Sequence, residues 1–190
     1  MVYGVGYSST QAGHYSNPTD KCFLVWRNML KRCYSNEEKY KNYRDQGISV
    51  CEEWHDFDVF EKWFNRNYYE VNDEVMNLDK DILKHGNKVY CPEHCIFVPQ
   101  TINLIFVRSA NRRGELPIGV HLESRTGKYV SSCSVYGRSV KSKHNDLMSA
   151  FVRYKQVKES HIKEMALRYR SVIPEQLYNA MMMFEVCFSD

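Results

Sequence analysis

A chain of 190 residues, 43% hydrophobic and 26% charged, can bury one good core or two small ones. Its formal charge of +3 neither demands nor excludes a nucleic-acid partner, so the placement of the cations matters more than their sum. No basic start followed by an apolar run opens the chain and no apolar run nears the roughly 20 residues that span a bilayer; the seven scattered Cys, an odd number, argue against a disulfide framework, so the expectation is a cytoplasmic protein with no membrane partner.

Asn17-Pro18-Thr19-Asp20 supplies turn and cap chemistry, and Cys22, Val25, Trp26, Met29, Leu30 and Cys33 follow at helical spacing, predicting a helix from about Asp20 to Tyr34. Gly47 precedes a short extended run, Ile48 to Cys51. Asp56 caps a second predicted helix with Phe57, Phe60, Trp63 and Phe64 on one side, a stripe that reads as core. Leu78 to Asn103 then reads as strand, long polar loop, strand and short helix. The chain is expected to divide into residues 1–107, a basic linker 108–114, and residues 115–190.

Past the linker the period changes. Ile118 to Leu122 is a predicted strand, Ser124 to Gly127 a turn, Lys128 to Tyr136 a second strand and Arg138 to Lys143 a third, with Gly137 between them. Asn145-Asp146 starts a long helix with Leu147, Ala150, Phe151, Tyr154, Val157, Ile162, Met165 and Tyr169 as its buried stripe. Pro174 opens a last helix, with Leu177, Tyr178, Met181 and Phe184 apolar. Three antiparallel strands against one helix make a complete small unit, and the expected class is α+β.

Two family resemblances rest on these residues. Trp26-Arg27-Asn28-Met29-Leu30-Lys31-Arg32-Cys33-Tyr34, Gly47 to Trp54, Leu78-Asp79-Lys80-Asp81, Gly86 to Cys95 and Asn103, in that order, resemble the phage-borne HNH homing endonucleases. Pro117 to Val120, Gly127-Lys128-Tyr129 and Ala150-Phe151 through Tyr154-Lys155 to Lys158-Glu159 are similar to the AP2 DNA-binding domain, although Val140 to Met148 departs from its usual pattern. The resemblances imply a ββα-metal unit embedded in aromatic-rich helices, followed by a DNA-binding sheet and a C-terminal helix. If the chain is phage-encoded, its compartment is the host cytoplasm.

Phosphodiester hydrolysis needs an activated water and a stabilised leaving oxygen, and one divalent cation serves the latter. Carried over from the HNH resemblance, Asp79 and Asn103 are the expected ligands of Mg²⁺ or Mn²⁺. Asp81, two residues along the strand, would add a second carboxylate. Asn87 is the expected orienting amide, with His94 as the alternative. Lys80 stands where the family carries its general base. With an ordinary lysine pKa of about 10.4 it is protonated at neutral pH, so it could contact a phosphate, while His85 or His94 could supply a base. The plain alternative is a solvated, salt-bridged strand end. Cys33, Cys51, Cys91 and Cys95 could together hold a structural zinc, with His14 a further candidate; the alternative is that they are buried small apolar residues.

Arg125, Lys128, Arg138, Lys141 and Lys143 on the sheet, with Arg108, Arg112 and Arg113 in the linker, form a basic run suited to duplex DNA. Exposed strands also carry Lys and Arg merely to block aggregation. The leading expectation is a sequence-directed, metal-dependent DNA endonuclease or nickase of the homing type. Its rivals are a catalytically inactive DNA binder, such as a repressor or a phage accessory or anti-defence factor, and a protein-binding inhibitor that uses the aromatic surface.

Overall fold

Asp20 starts the first helix as its composition predicts: its carboxylate accepts the Phe23 N–H at 2.8 Å, and α1 runs Lys21–Tyr34. The computed structural model describes residues 1–10, 15, 17–106 and 116–189. His14, Arg108, Arg112 and Arg113 lie outside the described residues. The chain is a mixed α+β protein with two compact units, Met1–Asn103 and Leu104–Asp190. Among the described residues no helix is long and apolar enough to cross a membrane.

In the first unit, Trp26, Met29 and Leu30 on α1 are fully buried together with Trp54, Phe57, Phe60, Phe97 and Ile102. The Trp26 indole donates to the Trp54 carbonyl at 2.7 Å, so a large ring enters the core with its polar atom satisfied. Asp56 caps α3 (Phe57–Asn67) by accepting the Asp58 N–H. Asp58 in turn accepts from Ser8, Ser9 and Thr10 and ties the N-terminal segment down. A short helix that the sequence pattern does not announce, α2 (Lys41–Asp45), leads into β1 (Ser49–Val50).

The predicted strand–loop–strand–helix is present. β2 (Met76–Asp79) pairs antiparallel with β4 (Ile96–Pro99), Met76 opposite Pro99 and Asp79 opposite Ile96, and α4 (Gln100–Phe106) follows at once. The loop between them adds β3 (Val89–Tyr90), which pairs in parallel with β1. That pairing joins segments far apart in sequence, so no local pattern announces it.

In the second unit, β5 (Val120–Glu123), β6 (Lys128–Val135) and β7 (Arg138–His144) form one antiparallel sheet in chain order. α5 (Leu147–Tyr169), capped by Asp146, packs on one sheet face around Val120, Cys133, Ala150, Phe151 and Tyr154. α6 (Glu175–Met182) ends before Phe184, which the helical reading had included. Phe184 belongs instead to an irregular segment whose Val186 joins the α5 core.

Gly119 shows how closely α5 approaches the sheet. Its φ is +74°, and an added Cβ would come within 2.0 Å of the Tyr154 ring. Gly119→Ala should therefore cost roughly 2–5 kcal/mol through combined strain and overpacking. Gly127→Ala, at φ +66° but facing open space, should cost about 1–2 kcal/mol. Denaturant unfolding of both variants checks the difference, and equal losses would refute the close packing of Tyr154.

Candidate active site and nucleic-acid interface

β2 alternates. Met76 and Leu78 are buried, whereas Asn77 and Asp79 share the opposite, partly open face. Asn77 donates to Gln100 Oε1 at 2.6 Å across the hairpin. Gln100 and Asn103 lie three apart on α4 and share a helix face. The bond ties β2 to the start of α4 at Asn77 and Gln100, while Asp79 stands two residues further along the strand, opposite Ile96. Sequence reasoning missed these two residues. Their signal was positional: one lies two residues before Asp79, the other three before Asn103.

Asp79 ends its strand with its own side chain. Oδ1 accepts the N–H groups of Asp81 at 2.7 Å and Ile82 at 2.8 Å, turning the chain. The strand stops there, so the period-two expectation that Asp81 shares the face of Asp79 does not hold. The chain bends, and the Asp81 carboxylate meets Lys80. Part of the Asp79 residue stays open to solvent, but its carboxyl is packed around on nearly all sides. Burial holds this carboxyl above the usual carboxylate range; the two N–H bonds oppose the rise in part, the Asp81 charge adds to it, and Lys80 opposes it.

Lys80 is buried, its side chain 7% exposed, and Nζ sits 2.6 Å from Asp81 Oδ2. Nζ also lies 5.8 Å from the centroid of the Tyr90 ring, whose hydroxyl is reached by Arg32. Asn87 acts on the backbone: Nδ2 donates to the carbonyls of Lys80 at 2.9 Å and Val89 at 2.7 Å, tying the loop's exit to its entrance. His94 Nδ1 lies 3.1 Å from Cys91 Sγ.

The four candidate zinc cysteines are all thiols; Cys33, Cys91 and Cys95 are buried and Cys51 is partly exposed. Burial pushes the Cys33 and Cys51 thiols up to about 11 and raises Cys91 and Cys95 as well. Among the described residues no three His, Cys, Asp or Glu are disposed to hold a metal together. The better candidate for a hard cation is the strand end, where among the described residues one oxygen of the buried Asp79 carboxylate is committed to backbone N–H groups.

A groove of about 590 Å³ runs beside the hairpin, lined by Lys21, Asn28, Arg32, Glu70, Asp73 and Asn77 among others. It touches β2 but not Asp79, and its carboxylates suit it poorly to a polyanion.

On the sheet, the face away from α5 carries His121, Glu123, Lys128, Val130, Ser132, Ser134, Ser139, Lys141 and Lys143 by register. Three of the predicted DNA-contacting cations, Lys128, Lys141 and Lys143, thus share one face, exposed themselves around the buried Val130. Lys143 is paired with Glu123 at 2.8 Å. Arg125 lies in the β5–β6 turn. Arg138 falls on the opposite register, facing Val135, and is exposed at the β6–β7 hairpin end.

Two outcomes are expected of the hairpin. Asn87→Ala should cost about 1–3 kcal/mol, because two carbonyls lose their donor; denaturant unfolding measures it. Asp79→Asn keeps an acceptor for both N–H groups but removes a desolvated charge. With its folded pKa raised, Asp79 favours the folded state most below the ordinary carboxylate pKa, and this contribution is lost as pH rises through the folded value. Asp79→Asn should therefore raise the melting temperature at pH 7, with the gain shrinking toward pH 4. A lowered melting temperature at pH 7 would refute the desolvated carboxylate. Comparison with family models, curated proteins and solved structures returns no match.

Proposed function

We propose that this chain is a sequence-directed DNA-binding protein of the HNH–AP2 homing type, whose ββα hairpin hydrolyses phosphodiester bonds with a divalent metal. The observation that carries the reading is the hairpin: an antiparallel pair ends in a desolvated carboxylate, Asp79, and runs directly into the helix that bears Asn103. Asp79 and Asn103 would hold Mg²⁺ or Mn²⁺, which supplies stabilisation of the leaving oxygen and polarisation of the phosphate. The Asn77–Gln100 bond ties β2 to α4, and Asn87 ties the loop to the carbonyl of Lys80, just after Asp79. Lys128, Lys141 and Lys143 on the open sheet face, with Arg125 and Arg138 at its turns and Arg108, Arg112 and Arg113 in the connector, would neutralise backbone phosphates.

A second reading is favoured by one specific observation. Lys80 is buried and ion-paired to Asp81, at the position where the family keeps its base. On this reading the chain binds DNA and does not cut it.

Supercoiled DNA incubated with Mg²⁺ or Mn²⁺ separates the two. The hydrolytic reading expects nicking by the parent and none by Asp79→Ala. Binding without nicking, undiminished by chelator, leaves the second reading; no binding at low salt removes both and leaves a protein partner. Lys128→Ala and Lys141→Ala should each reduce the slope of log affinity against log salt by about one. Arg112→Ala/Arg113→Ala should weaken binding to all sequences alike.

A further inference from the structure

Among the described residues β2 has a strand on one side only, β4. Which of its backbone groups face β4 follows from the register. The Gln100 N–H donates to the Val75 carbonyl at 2.9 Å, one step before Met76 stands opposite Pro99. Antiparallel ladders bond at every second pair, so Asn77 and Asp79 bond across to β4, whereas Met76 and Leu78 turn their N–H and C=O groups to the other edge. The partners agree. Pro99, opposite Met76, has no N–H to give. The carbonyl of Phe97, opposite Leu78, is taken by the Tyr69 hydroxyl, which donates to it at 2.8 Å. Among the described residues no backbone or side-chain group bonds to the backbone of Met76 or Leu78 on that edge.

The free edge lies along the groove of about 590 Å³. Four successive residues, Val75 to Leu78, line it, whereas a strand lining a groove with its face would offer every second one. Val25 and Asn28 of α1 belong to the same lining. No Lys or Pro within β2 blocks the edge, and Val75 beside it is 67% exposed. The charged side chains of the groove are three carboxylates, Glu70, Asp73 and Glu74, and two cations, Lys21 and Arg32. Lys21 is committed to Glu70, and Arg32 reaches the Tyr90 hydroxyl. Asp73 is exposed.

We propose that this groove binds an extended basic peptide that adds to β2 as a further strand. Its backbone bonds the N–H and C=O groups of Met76 and Leu78, an apolar side chain packs on Val25, and its cation meets Asp73. A free strand edge supplies affinity through main-chain bonds, and the flanking side chains supply selectivity. The proposal is independent of metal binding, cleavage and the DNA-facing sheet of the second unit.

Amide NMR on the full chain tests it. Without ligand, Met76 and Leu78 should exchange faster than Asn77; equal protection would mean that the edge is already taken and would overturn the proposal. The probe is acetyl-Lys-Val-Thr-Val-Thr-Val-amide. Saturable shifts at Met76 and Leu78 are expected, and none at millimolar peptide overturns it. Methylating one alternate set of peptide amides should weaken binding roughly two- to tenfold per methyl, and the other set should be tolerated; equal affinity of both sets refutes strand addition. Glu in place of the peptide's Lys should weaken binding roughly two- to fivefold, and Asp73→Lys should reverse that preference. Asn28→Trp, at an exposed position, should fill the groove and abolish the shifts while circular dichroism stays parental. Shifts of the same amides by duplex DNA, with none by the peptide, would give the groove to nucleic acid and overturn the proposal.

Discussion

One amide closes the hairpin on which the first unit's candidate chemistry depends. Asn87 spans from the carbonyl of Lys80, just after β2, to that of Val89 in β3. Without it the carbonyls of Lys80 and Val89 would lose a donor. With it, Val89 and Tyr90 are delivered to β1, and Tyr90 is delivered beneath the Lys80 ammonium. The clamp thus couples three things: the end of the candidate metal strand, the parallel pairing of a distant segment, and the surroundings of Lys80.

Two carboxylates at that strand end have opposite situations. Asp79 is desolvated and raised, a position that costs stability at neutral pH and so suits a group kept for a cation. Asp81 is half-exposed and already has a cation, Lys80. A hydrolytic site needs the first arrangement; a structural strand end needs only the second. Both occur within three residues: Asp79 buried with its Oδ1 on two backbone N–H groups, and Asp81 paired with the buried Lys80.

The second unit solves a different problem. Three strands leave one face open, and α5 covers the other, with Gly119 admitting the Tyr154 ring. The open face gathers Lys128, Lys141 and Lys143 with serines and His121. The covered face is completed by the irregular segment after α6, whose Val186 bonds to Lys155 and Glu159. A small sheet has too little apolar area to be indifferent to such a segment.

Much of this was legible from residue types. Asp20, Asp56 and Asp146 announced helix starts, since a short acidic side chain before an apolar stripe satisfies free N–H groups whatever the rest of the chain does. Period-two and helical patterns located the hairpin, the three strands and α5, because alternation is a local consequence of backbone geometry. What tertiary structure alone decided were relations between distant segments: β1 with β3, Asn77 with Gln100, Lys155 and Glu159 with Val186. It also turned Asp81 away from Asp79's face and toward Lys80, because Asp79's own carboxylate ended the strand. Patterns in sequence report which face a residue occupies; which group it meets there depends on contacts that no periodicity encodes.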